Sequence, residues 1–191
     1  MALPALALLP ALAPRVIMLS GWMKSGKDTV GEYLCRKHGF RRLAFADALK
    51  DEVAACYGVD RGTLDTQEGK AAAWDASGRT IRDLLIWHGQ ARRALDQDYW
   101  CHKVVGAIRS SGGGDIVITD WRFPNEHEAL SRQCECAVVQ TWRIQRWSRP
   151  PKTDSTELAL DATAFDQTIR NTASVADLYA QIDAVLSGGN A

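Results

Sequence analysis

Apolar positions along this chain switch between two spacings. Val16–Leu19 and Ile116–Thr119 are short unbroken apolar runs, and such runs bounded by turn residues predict buried strands. Ala137–Trp142 and Gln167–Arg170 predict two more, and Arg42–Ala46 a shorter one. Between them apolar residues recur three or four apart. Lys27–Lys37 gathers Val30, Tyr33 and Leu34 on one helical face, and Ala48–Tyr57, Thr80–Ala94 and Tyr99–Ile108 predict three further helices. A last helix starts at Ser174, with Asp177 three residues on as its capping-box partner; Val175, Leu178, Tyr179, Ile182 and Leu186 form its apolar stripe. Strands alternating with helices predict an α/β chain, a mostly parallel five-stranded sheet covered on both faces. Residues 58–79, rich in Gly, Asp and Ala, read as a mobile insertion.

The junction of the first strand and first helix carries the chemistry: Gly21-Trp22-Met23-Lys24-Ser25-Gly26-Lys27-Asp28-Thr29. A strand, a glycine-bounded loop ending in Gly-Lys, and a helix are the context of a phosphate-binding loop. Glycines let backbone amides curl around phosphate oxygens, the helix aims its positive end at them, and Lys27 reaches the β- and γ-phosphates. The expectation is a bound nucleoside triphosphate. Asp28 stands where Ser or Thr usually gives a hydroxyl to Mg²⁺. A carboxylate there repels a triphosphate unless a cation lies between, so Asp28 is read as holding Mg²⁺ directly or through water. The alternatives are that Thr29 takes the hydroxyl role, or that Asp28 caps the helix.

Composition narrows the setting. A length of 191 residues suits one domain, with 15–191 as its extent, and the 23 basic and 23 acidic residues balance. No global field recruits nucleic acid or a membrane surface. Five cysteines in odd number, without zinc-like spacing, read as reduced thiols, Cys134 and Cys136 on or beside a strand. The four histidines read as scattered surface or packing residues. Residues 1–14, MALPALALLPALAP, lack a charged start and are interrupted by Pro4 and Pro10, so they read as a loose tail rather than an export signal or span. The expected location is cytoplasmic.

Three further clusters suit phosphoryl transfer, which needs positioned charge more than bond-making side chains. Ile116–Thr119 runs into Asp120, and the carboxyl end of a strand in an open α/β sheet faces the ligand. Asp120, Arg122 and Glu126 crowd the turn that follows. Phe45–Lys50 offers Lys50 as a contact for an acceptor phosphate, with Asp47 either in the site or capping the helix; Asp51 and Glu52 read as a solvated face. Arg79, Arg82, Arg92 and Arg93 form the third cluster. Arg82 projects while Leu85 packs inward, Arg79 and Arg92 read as solvated, and Trp100 offers an aromatic face for a base. Arg143, Arg146 and Arg149, before Pro150–Pro151, read as a lid.

These segments together resemble the deoxynucleoside monophosphate kinases of phages and large DNA viruses, a branch of the P-loop nucleotide kinases. The resemblance rests on Ser20–Gly21, Ser25–Thr29, Phe45–Ala46, Leu49–Lys50, Arg82 with Gly89, Asp98–Trp100, Thr119–Asp120 with Arg122 and Glu126, Thr156–Glu157, and Phe165–Asp166 with Ile169 and Asn171. It implies a three-layer P-loop NTPase fold with mobile acceptor-binding and lid segments. It implies that Lys24, Gly26, Lys27, Asp28 and Thr29, in a loop completed by Gly21 and Ser25, hold ATP and Mg²⁺. It places Lys50, Arg82, Trp100, Asp120, Arg122 and Glu126 around the acceptor, with Arg93 beside them and Lys27, Arg82 and Arg122 offsetting charge on the transferred group. As a strand-end carboxylate, Asp120 reads equally as a metal-side group. The expected activity is ATP-dependent phosphorylation of a (deoxy)nucleoside 5′-monophosphate. The rivals are a kinase of another phosphorylated small molecule, such as phosphomevalonate, and a nucleotide-binding module without catalysis. Relatives of this kind can pair, so a homodimer is compatible with the resemblance. Departures from its pattern are Asp154, Met23 and His88.

Overall fold

The computed structural model describes residues 14–134, 138–146 and 158–188. Five strands, β1 (Arg15–Ser20), β2 (Arg41–Leu43), β3 (Ile116–Ile118), β4 (Val138–Gln145) and β5 (Gln167–Arg170), form one sheet in the order β2-β3-β1-β4-β5, all neighbours parallel. Parallel neighbours need crossovers, and the helices supply them: α1 (Lys27–His38), α2 (Phe45–Tyr57), α3 (Gln67–Ala71), α4 (Ile81–Leu95), α5 (Tyr99–Arg109), α6 (Pro124–Gln133) and α7 (Val175–Gly188). Among the described residues no helix is long and apolar enough to cross a membrane.

β1 lies at the centre, and its alternate residues divide the core. Val16 and Met18, with Ile116 and Ile118, pack under α5 and α6; Ile17 and Leu19, with Val117, Trp142 and Ile144, pack under α1 and α7. All five β1 residues from Val16 onward are buried, as expected of a strand covered on both faces. A third cluster, Val53, Leu64, Ile81, Leu84 and Leu85, joins α2 and α4 through the connecting segment.

That segment corrects the reading of 58–79 as mobile. It holds a 3₁₀ turn (Thr63–Asp65), α3, and a bridge pairing Ala73 with Thr80. Leu64 is fully buried, and Arg61 bonds Asp51 (2.6 Å) and Asp65 (2.6 Å) while reaching Asp47 (3.5 Å). An apolar plug and a multiply bonded guanidinium dock the segment on α2. Local composition does not reveal either, because the partners lie on another helix.

Other boundaries shift for stated reasons. β2 ends at Leu43 instead of Ala46, because the amides of Phe45 and Ala46 are taken by the Asp120 carboxylate and open α2 three residues before Ala48. β4 continues through Arg143 to Gln145, paired with Thr168 and Arg170 of β5. Cys134 ends α6, its N–H bonded to Leu130, rather than lying on a strand. Ser174 and Asp177 form the capping box of α7 as expected. The tail before Pro14, the Cys136 thiol, and the lid positions 147–157 lie outside the described residues.

Glu52 is the largest surprise in the helical layer. Instead of facing solvent it receives Tyr99 Oη (2.7 Å), Arg92 Nε (2.6 Å) and His88 Nε2 (3.0 Å), with Lys103 at 3.5 Å. Arg92 is therefore paired, and His88, also bonded to Tyr57 (3.0 Å), is a buried link between α2 and α4. Burial alone raises the Glu52 carboxyl, but the hydrogen bonds from Tyr99, His88 and Arg92 outweigh it and hold it at about 2, below its ordinary 4.5. A carboxylate depressed on folding stabilises the protein above its unfolded value, and that contribution is lost as pH falls from about 4.5 towards 2. The Glu52→Gln protein should lose part of this acid dependence. It should also be less stable at neutral pH, because a neutral amide is a weaker partner for Arg92 and Lys103 than the carboxylate. Thermal unfolding of both proteins followed from pH 7 to pH 3 checks this; parallel curves would refute it.

Candidate active site

The loop between β1 and α1 is shaped by close approach. Gly21 (φ 154°), Lys24 (φ 60°) and Gly26 (φ 105°) all have positive φ. A methyl on Gly21 would lie 2.5 Å from the Ile144 carbonyl oxygen and 2.6 Å from Ser25 Oγ, and one on Gly26 would strike the Asn171 amide nitrogen. Asn171 follows β5. Its side chain donates to the Ser25 carbonyl (2.9 Å) and its own N–H to Gln145 (2.8 Å), so the end of the sheet braces the back of the loop. Ser25 N–H closes a turn onto Trp22 O (3.0 Å), while the buried Ser25 Oγ has no hydrogen-bond partner among the described residues.

Lys27 opens α1 and bends back over the loop, donating to the carbonyls of Gly21 (2.5 Å) and Trp22 (2.9 Å). Arg143, at the end of β4, stacks on Trp22 (5.1 Å) and bonds Ser20 Oγ (3.2 Å) and Asp161 (2.7 Å). The positive-φ glycines, the orphaned hydroxyl and the two cations suit a polyphosphate. For Mg²⁺, Asp28 is exposed in the first turn of α1 and Thr29 is half-buried. Asp28 does not cap that helix, whose cap position is Gly26 with no side-chain bond. Asp28 and Thr29 offer the hard oxygen atoms Mg²⁺ takes. Among the described residues no group of three or more His, Cys, Asp or Glu could hold a metal by itself.

Ser20, Gly21, Lys27, Asp120, Trp121, Arg122 and Leu160 line one small hollow beside the loop. Asp120 reaches this hollow from the carboxyl end of β3 but uses both oxygens on α2, receiving Phe45 N–H on Oδ1 (2.9 Å) and Ala46 N–H on Oδ2 (2.8 Å). Burial pushes its carboxyl above the ordinary aspartate range, opposed by those two amides and by Arg122. Arg122 is exposed at the rim of the hollow.

Glu126 is buried and its carboxylate is held on the turn itself. It accepts the N–H groups of Arg122 (3.0 Å) and Phe123 (3.1 Å) at the start of α6 and the Arg93 guanidinium (2.9 Å), which lies 4.4 Å over the Phe123 ring. Burial raises its carboxyl, against those bonds. Trp100 corrects the reading of an open stacking face: it is 2 % exposed in the core under β3, its N–H bonded to Gly89 O (3.2 Å). Lys50 of α2 and Arg82 of α4 are each bonded to the docked segment. Lys50 bonds Asp65 (2.8 Å), and Arg82, exposed, bonds Gln67 (2.7 Å). Sequence reasoning gave no role to Asn171 or Arg61; the Ile169-x-Asn171 pattern after β5 was the available signal for the first.

No protein-family model matches the chain, and no curated protein sequence does. Among solved structures, TT1252 from Thermus thermophilus superposes with a TM-score of 0.54 at 17 % identity, covering 92 % of this chain and 97 % of that one. A putative kinase from Chloroflexus aurantiacus (TM-score 0.52, 14 % identity, 94 % and 99 % covered) and shikimate kinase from Aquifex aeolicus (0.52, 16 %, 91 % and 97 %) are similar over the same extent. The chain has the α/β fold of the P-loop kinases.

Two substitutions check the site. Gly26→Ala places a methyl against Asn171 at a left-handed φ, so ATP binding read by calorimetry should weaken at least about a hundredfold, while the Tm falls only a few degrees. Asp120→Ala orphans two amides at the start of α2 and should cost about 2 kcal/mol in denaturant unfolding. An Asp120→Ala protein as stable as the parent would remove the capping role.

Proposed function

We propose that this protein transfers the γ-phosphoryl group of ATP to a small anionic acceptor, and that the acceptor is a (deoxy)nucleoside 5′-monophosphate. The observation that carries the first half is the shared hollow: Lys27 of the phosphate loop and Asp120 and Arg122 of the β3 end line the same space. In the reaction an acceptor phosphate oxygen attacks the γ-phosphorus, the bond to the β,γ-bridging oxygen breaks, and ADP leaves. The attacking oxygen is already an anion near neutral pH, so no strong base is needed. Lys27 would leave its two carbonyls for the β- and γ-phosphates, where its fixed charge is aimed at what develops in transfer. Arg122 at the rim would meet the acceptor side. Asp28 and Thr29 would hold Mg²⁺, which supplies neutralisation of phosphate charge. Asp120 serves by holding α2, and with it Lys50, at a set distance from the loop.

The nucleotide acceptor rests on the motif resemblance to phage and viral deoxynucleoside monophosphate kinases, chiefly Gly26-Lys27-Asp28-Thr29 followed by Asp120-x-Arg122-x3-Glu126. Trp100 lends it no support, since its ring is sealed in the core. That burial favours keeping a second reading, transfer to a phosphorylated acceptor without a base, such as phosphomevalonate. The neighbouring shikimate kinase is named for an acceptor that is not a nucleotide. A nucleotide-binding module without transfer accounts less well for the acceptor-side cations Lys50 and Arg82. The membrane plays no part in either kinase reading, and the expected setting is the cytoplasm.

A coupled assay for ADP release over the common ribo- and deoxyribonucleoside monophosphates, phosphomevalonate and shikimate decides between them. At least one monophosphate should stimulate ADP release strongly over the ATP-only rate, and Lys27→Ala should lower kcat by about a thousandfold or more. Full turnover in the Lys27→Ala protein would discard the mechanism, and stimulation by phosphomevalonate alone would discard the nucleotide.

A further inference from the structure

The docked segment carries a cation that no motif announces. Lys70, on α3, is half-buried, yet its side-chain ammonium makes no hydrogen bond or ion pair among the described residues. Its surroundings are cationic: Lys50, Arg82 and Arg61 all act against its charge. Asp65, which favours that charge, already gives Oδ1 to Lys50 (2.8 Å) and Oδ2 to Arg61 (2.6 Å). Burial and the neighbouring cations lower the Lys70 ammonium below its ordinary range. An ammonium withdrawn from water among like charges is unfavourable unless an anion joins it.

The placement is also rigid. A methyl on Gly69 would strike the Thr63 carbonyl, so α3 lies directly against the 3₁₀ turn; Thr66 Oγ1 caps α3 through Gly69 N–H (2.9 Å). Ile81 N–H bonds Ala72 O (3.0 Å), tying its far end to α4. Arg61 clamps the turn to Asp51 of α2. The segment thus brings together three cations from three elements, Lys50 of α2, Lys70 of α3 and Arg82 of α4; Lys50 is paired with Asp65 (2.8 Å) and Asp47 (3.6 Å), Arg82 meets the Gln67 amide, and the Lys70 ammonium has no carboxylate of its own among the described residues.

We propose that Lys70, Lys50 and Arg82 form a built oxyanion site that takes the phosphate monoester group of the acceptor. This rests on the phosphotransferase reading and deepens it, adding Lys70 as a binding residue. Lys50 lies four to five residues beyond the amides held by Asp120, roughly 7 Å along α2, on the helix whose start is fixed at the edge of the hollow beside Lys27.

The test reads Lys70 directly. Limited acetylation followed by peptide mass spectrometry measures the labelling rate of each lysine, with Lys37, ion-paired to Asp183 under the opposite face of the sheet, as internal reference. Millimolar inorganic phosphate should slow labelling of Lys70 at least about fivefold and leave Lys37 unchanged. The same protection should persist in the Lys27→Ala protein, which separates this site from the phosphate loop. Kinetically, Lys70→Gln should raise the acceptor KM about tenfold, with the ATP KM unmoved, and Lys70→Arg should recover part of the loss. Equal labelling of Lys70 with and without phosphate overturns the site. Protection at Lys70 in a protein that phosphorylates no acceptor would uphold the site while removing the kinase reading.

Discussion

A carboxylate at the end of one strand fixes the start of a helix 75 positions earlier in the chain, and the geometry of the site follows from that contact. The first turn of α2 has amides with no helical partner, and Ala44 at its cap position offers no side chain to satisfy them. Asp120 supplies both oxygens from the end of β3. Withdrawing that carboxylate from water is unfavourable, which is why its proton affinity rises, but two amides and the helix dipole offset much of the penalty. The result is a rigid corner joining the central sheet, the hollow beside Lys27 and the helix that carries Lys50.

The phosphate loop is braced in the same manner, from a distance. Gly21 and Gly26 allow the turn, but its position is set by contacts with Ile144 of β4 and with Asn171 just after β5. Strand order explains the economy of this arrangement. β1 lies between β3 and β4, so residues from both neighbours converge on the loop that leaves it. Ligand sites at the carboxyl ends of parallel strands arise from this convergence.

What was legible in the sequence follows the range of the interactions. β1, the loop and α1 were readable because apolar run, glycines and amphipathic spacing are contiguous, and the Ser174–Asp177 cap was readable because its partners are three residues apart. The β2–α2 border was not, since its determinant is Asp120. Residues 58–79 look mobile by composition, and only the burial of Leu64 and the bonds of Arg61 to α2 reveal otherwise. Glu52 carries no mark distinguishing it from the exposed Asp51 beside it, because Tyr99, His88 and Arg92 reach it from two other helices. Trp100 was misread for the converse reason: an aromatic beside arginines suits a base, yet its N–H is satisfied by Gly89 and its rings fill the core.

The distribution of charge partners then separates structural from available cations. Arg92 is occupied by Glu52, Arg93 by Glu126, Arg61 by Asp51 and Asp65, and Arg79 by Asp75. The pairs to Glu52, Glu126 and Asp51 dock one element on another, those of Arg61 with Asp65 and Arg79 with Asp75 tie local turns, and all of them occupy the guanidinium groups with protein partners. Lys50 shares Asp65, Arg82 has only a neutral amide, and Lys70 has neither. Residues 47–82 carry seven carboxylates against five cations, so these three side chains are set apart by their partners and not by a local excess of positive charge. The docked segment is pinned through Arg61 to α2 and through the start of α2 to Asp120, which lines the hollow beside Lys27. Two anions brought to those positions would each be drawn to its own cations while the protein, not the ligands, bears the cost of holding like charges apart.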